Sequence, residues 1–527
     1  MTPNHSFPNM PARNPWLADS VYPTTHFNSA ATDSIAHAGP THGRQLSAGD
    51  LKTVPGVYTS SPTVKREGDA TILIASGIDG IRKIDATGRG FELMSFLPYP
   101  GFEALARKAT PEALDGALAE TDAAVSAKDD TRILALSEIM ADLGFSRQHL
   151  ANGVYNVIDK DGFHYAPFAG ARIIKTTDDN DPKGPLRVVK VKNLGEELPP
   201  ELARAVTYLV GFGMTYEGDL AAAAEGALFL LDRDLHVKGI LRFPDEIVEN
   251  GISMDEEAIY VVTSRRLLRI VWTGSKLSYD EADGGWESSY NTMTRGQAVV
   301  AGLPPSGGSG TQPTLMGFGD DPDKLVLIAD RDPRGPNLVA FWRDRIPPGH
   351  RQRFGTKSRR IADQVRIDIS RGALEPSPNV LGYGALFLNA TYPRPVSDVW
   401  GNAMAAGVTR PAPTGAQRFS WNTRRKAFET VWLNHDIDNS DVVIPVVSAR
   451  TGMIYLANKR DGHYEYVAID WETGELKARW PFPDESRKWN AYGGCNVVLE
   501  GGDLLLGGLF ALKRVNIGEG EARDVQA

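Results

Sequence analysis

Short apolar runs of strand length recur along this chain. Each is opened by a small or polar cluster reading x-[TNV]-[VL] and is followed, after a turn, by a second apolar run. The pattern starts at Pro62-Thr63-Val64, Tyr155-Asn156-Val157, Tyr208-Leu209-Val210, Gly251-Ile252-Ser253, Pro313-Thr314-Leu315, Pro378-Asn379-Val380, Pro445-Val446-Val447 and Cys495-Asn496-Val497. The second runs include ATILIAS after Asp69, EAIYVVTS after Glu256, DKLVLIAD after Pro322, GALFLNA after Tyr383, GMIYLANKR after Thr451 and DLLLGG after Gly502. Alternating or continuous apolar runs of this length, bounded by Gly, Asp and Pro, are strands. Their starts lie roughly 45 to 65 residues apart except for one long gap, which suits radially repeated four-stranded sheets better than a solenoid. The pattern therefore predicts an all-β fold, a β-propeller of about seven or eight blades. The last copy, Asn490 to Arg514, is too short for a full blade, and Asn14 to Asn28 is expected to complete it and hide the sheet edges.

The long gap carries helical periodicity. From Gly101 to His149, Ala, Leu, Ile and Met recur at three and four spacing among charged residues, and Pro111 follows Thr110, a good N-cap. This helical insertion, about 101–150, is expected either to cap a face of the propeller or to decorate its surface. The division is an arm over 1–50, the propeller over 51–515 and a tail over 516–527. Gly302 to Pro313 reads as a flexible Gly/Ser-rich linker running into a strand, and Arg343 to Arg360 as a basic, solvated outer loop.

Composition narrows the function classes. The chain has 527 residues, 53 glycines, 34 prolines and 42% hydrophobic content, enough for the turns and core of one closed unit. A net charge of −9 argues against nucleic acid as a partner. A single cysteine, Cys495, excludes an intramolecular disulfide, a Cys-rich metal cluster and covalent haem attachment. No apolar run approaches the roughly 20 residues of a membrane span. The first residues lack the basic start and apolar core of a signal peptide, so a cytoplasmic location is expected, although an exported protein without its leader would read the same.

Family resemblance enters through Ala468 to Trp480, which looks like the tryptophan-docking motif A-x-D-x-x-T-G-x-x-x-W of quinoprotein alcohol dehydrogenase-like propellers. Two extra residues precede the Trp, and Ile84-Asp85-Ala86-Thr87-Gly88 carries a fragment of the motif. Gly308 to Leu315, Pro445 to Tyr455 and Asn490 to Gly508 resemble PQQ-binding-like propellers. In that family the Asp and Thr-Gly shape a tight turn and the Trp stacks between blades. The resemblance also implies pyrroloquinoline quinone with Ca²⁺ or a lanthanide, a catalytic Asp and often a vicinal disulfide. The single cysteine rules out that disulfide and no paired carboxylate motif matches, so PQQ with Ca²⁺ is not favoured here.

Propeller geometry points to a site without the family. Loops leading into the inner strands, and those between second and third strands, open on the same face and make a funnel mouth. The first set offers Gln312, Asn379, Asn490, Tyr492 and Asn496, with His26 where the N-terminal segment would cross the funnel. The second offers Arg265, Arg331, Lys459, Arg460 and Asp330. Closure would gather these cations around the axis to receive a carboxylate, sulfate or phosphate, unless they pair with Asp330, Asp332, Asp441 or Asp461 and only tie blades together. For proton transfer the densest cluster is Asn434 to Asp441, with His435 as the exchanging group and Asp436 orienting it, and Asp330 is the third catalytic candidate. Its aspartates could instead hold a hard cation, or form an ordinary Asx-rich turn. His26, His37 and His42 match no standard metal-ligand spacing.

Two classes of function follow. One is an enzyme acting on a small polar or anionic substrate in the funnel, by acid/base chemistry (lyase, isomerase or hydrolase) or as a divergent quinoprotein-like oxidoreductase. The other is a non-catalytic propeller that binds a ligand or a protein.

Overall fold

The computed structural model describes residues 8–517 apart from 61, 147–148, 207, 295, 298–307, 371–373 and 397. Most of the predicted linker before Pro313, and most of the tail, lie outside the described residues. Among the described residues the strands form eight antiparallel sheets arranged as propeller blades. Their inner strands are Thr63–Glu67, Val157–Ile158, Leu209–Met214, Ser253–Met254, Thr314–Met316, Asn379–Leu381, Val446–Ser448 and Val497–Val498, numbered here as blades 1 to 8. Each coincides with one of the predicted repeat starts. Strands buried on both faces read as near-continuous apolar runs, which is why the pattern is visible without helical interference.

The last blade closes differently from the expectation. Leu51–Pro55, not the segment 14–28, supplies its outer strand, pairing antiparallel with Ala511–Val515 so that Leu51 faces Val515 and Pro55 faces Ala511. Residues 14–37 instead run through the central channel. The arm's carbonyls accept N–H groups from inner strands around the ring: Val64 N to Tyr22 O at 2.8 Å, Ile158 N to Pro23 O at 2.8 Å, Met254 N to Ser29 O at 2.7 Å, Leu315 N to Ala30 O at 3.1 Å, Val380 N to Thr32 O at 2.9 Å and Val447 N to Asp33 O at 3.0 Å. Asn14 Nδ2 reaches Met214 O in blade 3 at 2.8 Å, and the Tyr22 hydroxyl reaches Val498 O in blade 8 at 2.5 Å. Ser34–Ile35 also pairs parallel with Val446–Ser448. The arm thus satisfies inner edges that would otherwise be unpaired.

From the channel the chain passes along the outer side of blade 7. Leu46 N donates to Pro481 O at 3.0 Å, and Gly43 lies so close to the Arg479 backbone that a Cβ would sit 2.5 Å from its nitrogen. The tryptophan-docking turn forms here. Asp470 Oδ1 accepts from Glu472 N at 2.9 Å and Thr473 N at 2.8 Å, and Gly474 takes the left-handed φ of 73° that closes the turn. Trp480 is fully buried, and its Nε1 donates to His42 O at 3.0 Å, so the indole packs the sheet against the arm.

The predicted insertion is helical over Glu103–Lys108, Pro111–Ser126, Asp130–Ala135 and Ser137–Asp142, with the Thr110 hydroxyl capping Ala113 N at 3.2 Å. A further helix, Val399–Ala405, comes from blade 6. Leu114, Leu118, Ile133, Met140, Trp400 and Met404 form one apolar cluster with Val57, Tyr58, Ile78, Leu509 and Phe510, which belong to mouth-side loops of blades 1 and 8. The insertion therefore caps the mouth on the side of those blades. Polar clamps hold it there: Asp130 accepts from Arg410 at 2.8 and 3.0 Å, and Asp122 from Ser486 Oγ and Arg487 N at 2.7 Å each. No helix among the described residues is long and apolar enough to cross a membrane.

Candidate functional site

Beneath the helical cap, side chains from the loops leading into several blades converge. Tyr58 precedes blade 1, Tyr155 blade 2, Glu375 blade 6, Asp441 blade 7 and Tyr492 blade 8, while Tyr392 follows the second strand of blade 6. Tyr58 and Tyr492 rings lie 6.1 Å apart. Burial pushes the phenols of Tyr58, Tyr155, Tyr392 and Tyr492 above their ordinary range, and nearby Glu375 pushes each further. These phenols therefore remain protonated donors at neutral pH. Tyr155 donates to Asn250 Oδ1 at 2.5 Å and Tyr392 to Ser440 O at 2.6 Å.

Below Tyr155 the arm supplies the floor. His26 stacks on the Tyr155 ring with centroids 6.0 Å apart, and its Nδ1 lies 3.0 and 2.9 Å from the two carboxylate oxygens of Asp33. Both side chains are buried, and desolvation pushes the Asp33 carboxyl up. Cys495, also buried, stands beside them, so that a ligand atom from each of the three lies within 4.8 Å of the others. His26, Phe27, Ala31 and Asp33 all take left-handed φ values, between 51° and 71°. Non-glycine residues pay steric strain for that conformation, and such strain concentrates at functional sites.

The amides expected to bind substrate act as straps between neighbouring blades. Gln312 Nε2 donates to Ile252 O at 2.9 Å, Asn379 Nδ2 to Pro445 O at 2.6 Å and Asn496 Nδ2 to Ile444 O at 2.8 Å. Asn490 accepts Leu509 N at 2.9 Å through Oδ1 and donates to Arg487 O at 2.5 Å.

The expected cationic rim does not assemble. Arg265 and Arg460 are exposed, and Arg460 lies 3.8 Å from Glu465. Arg331 is buried 3.8 Å from Glu249. Lys459 is buried but donates to Ala403 O at 3.3 Å and Ala406 O at 3.1 Å, holding the C-terminal end of the Val399–Ala405 helix, with Asp441 3.6 Å away. The positions are equivalent by repeat, yet Arg265 and Arg460 lie exposed while the buried Arg331 and Lys459 meet local acceptors, because a buried charge left unpaired is costly.

The proton-transfer cluster is also misplaced by the sequence reading. The outer strand of blade 6 runs on from Ala427 to Asp438, with Asn434 facing Ala416 and Asp438 facing Thr414, so His435 and Asp436 lie exposed on that strand rather than in the following loop. Asx-type bonds form at two places in the cluster, Asn434 Oδ1 accepting Asp436 N at 2.9 Å and Asp438 Oδ1 accepting Ser440 N at 2.7 Å, while Asp441 Oδ2 accepts Ala491 N of blade 8 at 2.7 Å.

Asp330 has its oxygens occupied by Asn337 N at 2.8 Å, Asn337 Nδ2 at 2.9 and 3.0 Å and Asn291 Nδ2 at 3.0 Å, and so fixes a turn. Burial raises its pKa to about 6. A raised carboxyl pKa means the folded state holds the proton more tightly than the unfolded chain, so stability falls as pH climbs from about 4 to about 6, by roughly 3 kcal/mol in all. In denaturation curves across this range, Asp330→Asn is expected to flatten that part of the slope, and an unchanged slope would contradict the assignment.

What sequence reasoning missed was the arm's floor. His26 was placed near the funnel, but Cys495, which stands beside its pair with Asp33, lies more than 460 positions further along the chain. The one available signal was that Cys495 opens an inner-strand repeat.

No family profile matches the chain. An uncharacterized protein of Archaeoglobus fulgidus is 29% identical over 298 residues, 51% of this chain and 53% of the relative, so the chain spans about half the length of the curated relative it matches. Among solved structures, a europium-containing methanol dehydrogenase superposes with a TM-score of 0.52 at 10% identity, covering 94% of this chain and 90% of its own. The fold the two share is the β-propeller, built here from eight blades. The Neurospora crassa Pan2 WD40 domain aligns with 68% of this chain and 86% of its own, at 8% identity and a TM-score of 0.39.

A quinone with Ca²⁺ or a lanthanide does not fit the axial cluster found among the described residues. The axial ligand cluster is one imidazole, one carboxylate and one thiol, whereas hard cations take shells built from oxygen. Cys495 is moreover the chain's single cysteine, so no vicinal disulfide can support a quinone ring.

Proposed function

We propose that the protein is an enzyme acting on a small, polar, hydroxyl-rich organic substrate held at the propeller axis beneath the helical cap. The observation that carries this reading is the convergence of the Tyr58, Tyr155, Tyr392 and Tyr492 phenols with Glu375 under that cap. Protonated phenols donate and carboxylates accept, which is the complement of substrate hydroxyl and carbonyl groups. Arg331 and Lys459 lie beside local acceptors and Arg265 and Arg460 lie exposed, so the site leans toward a neutral polar molecule. The Tyr492 phenol, kept protonated by its burial, supplies one such donor under the cap.

A thermal-shift series of polyols, sugars, hydroxy acids and dicarboxylates tests the reading by mass action. Polyols or sugars are expected to stabilise the protein, and Tyr492→Phe to weaken that ligand's binding by about fivefold to tenfold, as for one lost hydrogen bond. A panel in which nothing stabilises the chain would favour a non-catalytic scaffold, and stabilisation by dicarboxylates alone would restore the anionic substrate class.

A further inference from the structure

The floor of the funnel combines three donor types that rarely meet by chance in a buried place. His26 and Cys495 are each 3% exposed and Asp33 is fully buried, with ligand atoms within 4.8 Å of one another. We propose that His26, Asp33 and Cys495 form a binding site for a thiophilic divalent metal ion of the Zn²⁺ class, with its remaining coordination position available to water or substrate.

The donor set selects the metal. Imidazole and thiolate favour Zn²⁺, Co²⁺ and similar ions over Ca²⁺, Mg²⁺ or a lanthanide. Three protein ligands leave one place of a tetrahedral shell open, as in catalytic rather than structural zinc sites. The flanking polar groups agree. Asn496, next to Cys495, and Asn156, whose Nδ2 lies 3.4 Å from Thr25 Oγ1 beside His26, are both buried, and the Oδ1 of each accepts no hydrogen bond among the described residues. An excess of buried acceptors over donors is costly unless a cation, or water bound to one, answers it. The left-handed backbone at both His26 and Asp33 turns the two side chains toward each other from within one short loop.

On binding, the thiol proton and any proton on the ligating imidazole nitrogen are released, and the metal replaces the hydrogen bond between His26 and Asp33. Because His26 and Asp33 belong to the arm and Cys495 leads into blade 8, the ion also fastens the arm to the closing blade. Metal binding stands on these residues alone. That the ion polarises a substrate oxygen rests on the enzyme reading above.

The test uses the full-length protein, stripped with a chelator and titrated with Co²⁺. The expected result is a single bound Co²⁺ per chain with a thiolate-to-cobalt charge-transfer band in the near ultraviolet and the intense visible bands of a tetrahedral ion. Cys495→Ser is expected to abolish the charge-transfer band and weaken binding by more than about 100-fold, beyond the loss typical of a group outside the coordination shell. His26→Asn, whose side chain tolerates the left-handed backbone, is expected to weaken binding comparably and serves if the serine variant does not fold, as judged by circular dichroism. A wild-type protein that binds Co²⁺ without the band, or fails to bind it, overturns the proposal, as does an unchanged affinity in a folded variant. The spectrum needs no organic ligand, so its failure is distinct from failure of the substrate reading.

Discussion

Replacing Trp480 with alanine is expected to lower the free energy of unfolding by about 3–5 kcal/mol, the cost of emptying a buried indole site. The ring is fully buried, its centroid lies 6.3 Å from that of Tyr466, and its Nε1 binds the carbonyl of His42 at 3.0 Å. Alanine would remove the packing and also leave that carbonyl without its donor. Phenylalanine keeps most of the packing and should cost about 1–2 kcal/mol, near the value of the lost hydrogen bond. Denaturant unfolding monitored by circular dichroism separates the two variants. A loss below about 1 kcal/mol for Trp480→Ala would show that the arm does not depend on this indole.

Breaking the pair at the floor is also expected to be damaging. His26→Ala leaves the fully buried Asp33 carboxyl without its hydrogen-bond partner, a loss of about 1–3 kcal/mol. The double variant His26→Ala/Asp33→Ala should recover part of that loss, because no buried polar group is then left unpartnered. Measurements in a chelator keep metal binding out of the comparison. Simple additivity of the two single substitutions would mean that the side chains do not interact.

Much of the architecture was legible in local chemistry. All the inner strands begin where the repeat begins, since a strand buried on both faces must be apolar whatever lies around it. The tight turn at Asp470 to Gly474 and the helix start at Thr110 follow from side chains bonding backbone groups two or three residues away. Such features need no knowledge of the rest of the molecule.

The site was less legible because its geometry is set by closure. His435 and Asp436 read as a loop since their composition is that of a turn, yet pairing with blade 6 carries the strand four residues beyond Asn434. Arg265, Arg331 and Lys459 occupy equivalent repeat positions, but their surroundings differ blade by blade: solvent, Glu249 and a helix terminus. Periodicity fixes where a residue sits in its blade and says nothing of which acceptor will be nearest.

The sequence by itself determined an eightfold series of strand units, the helical insertion and the tryptophan turn, because each depends on contacts within a few tens of residues. Only the tertiary structure decided that the arm fills the channel, that residues 51–55 close the ring, and that His26, Asp33 and Cys495 meet. Those outcomes depend on unpaired backbone groups and buried polar atoms finding partners across the whole chain, a condition that has no periodic trace in the sequence.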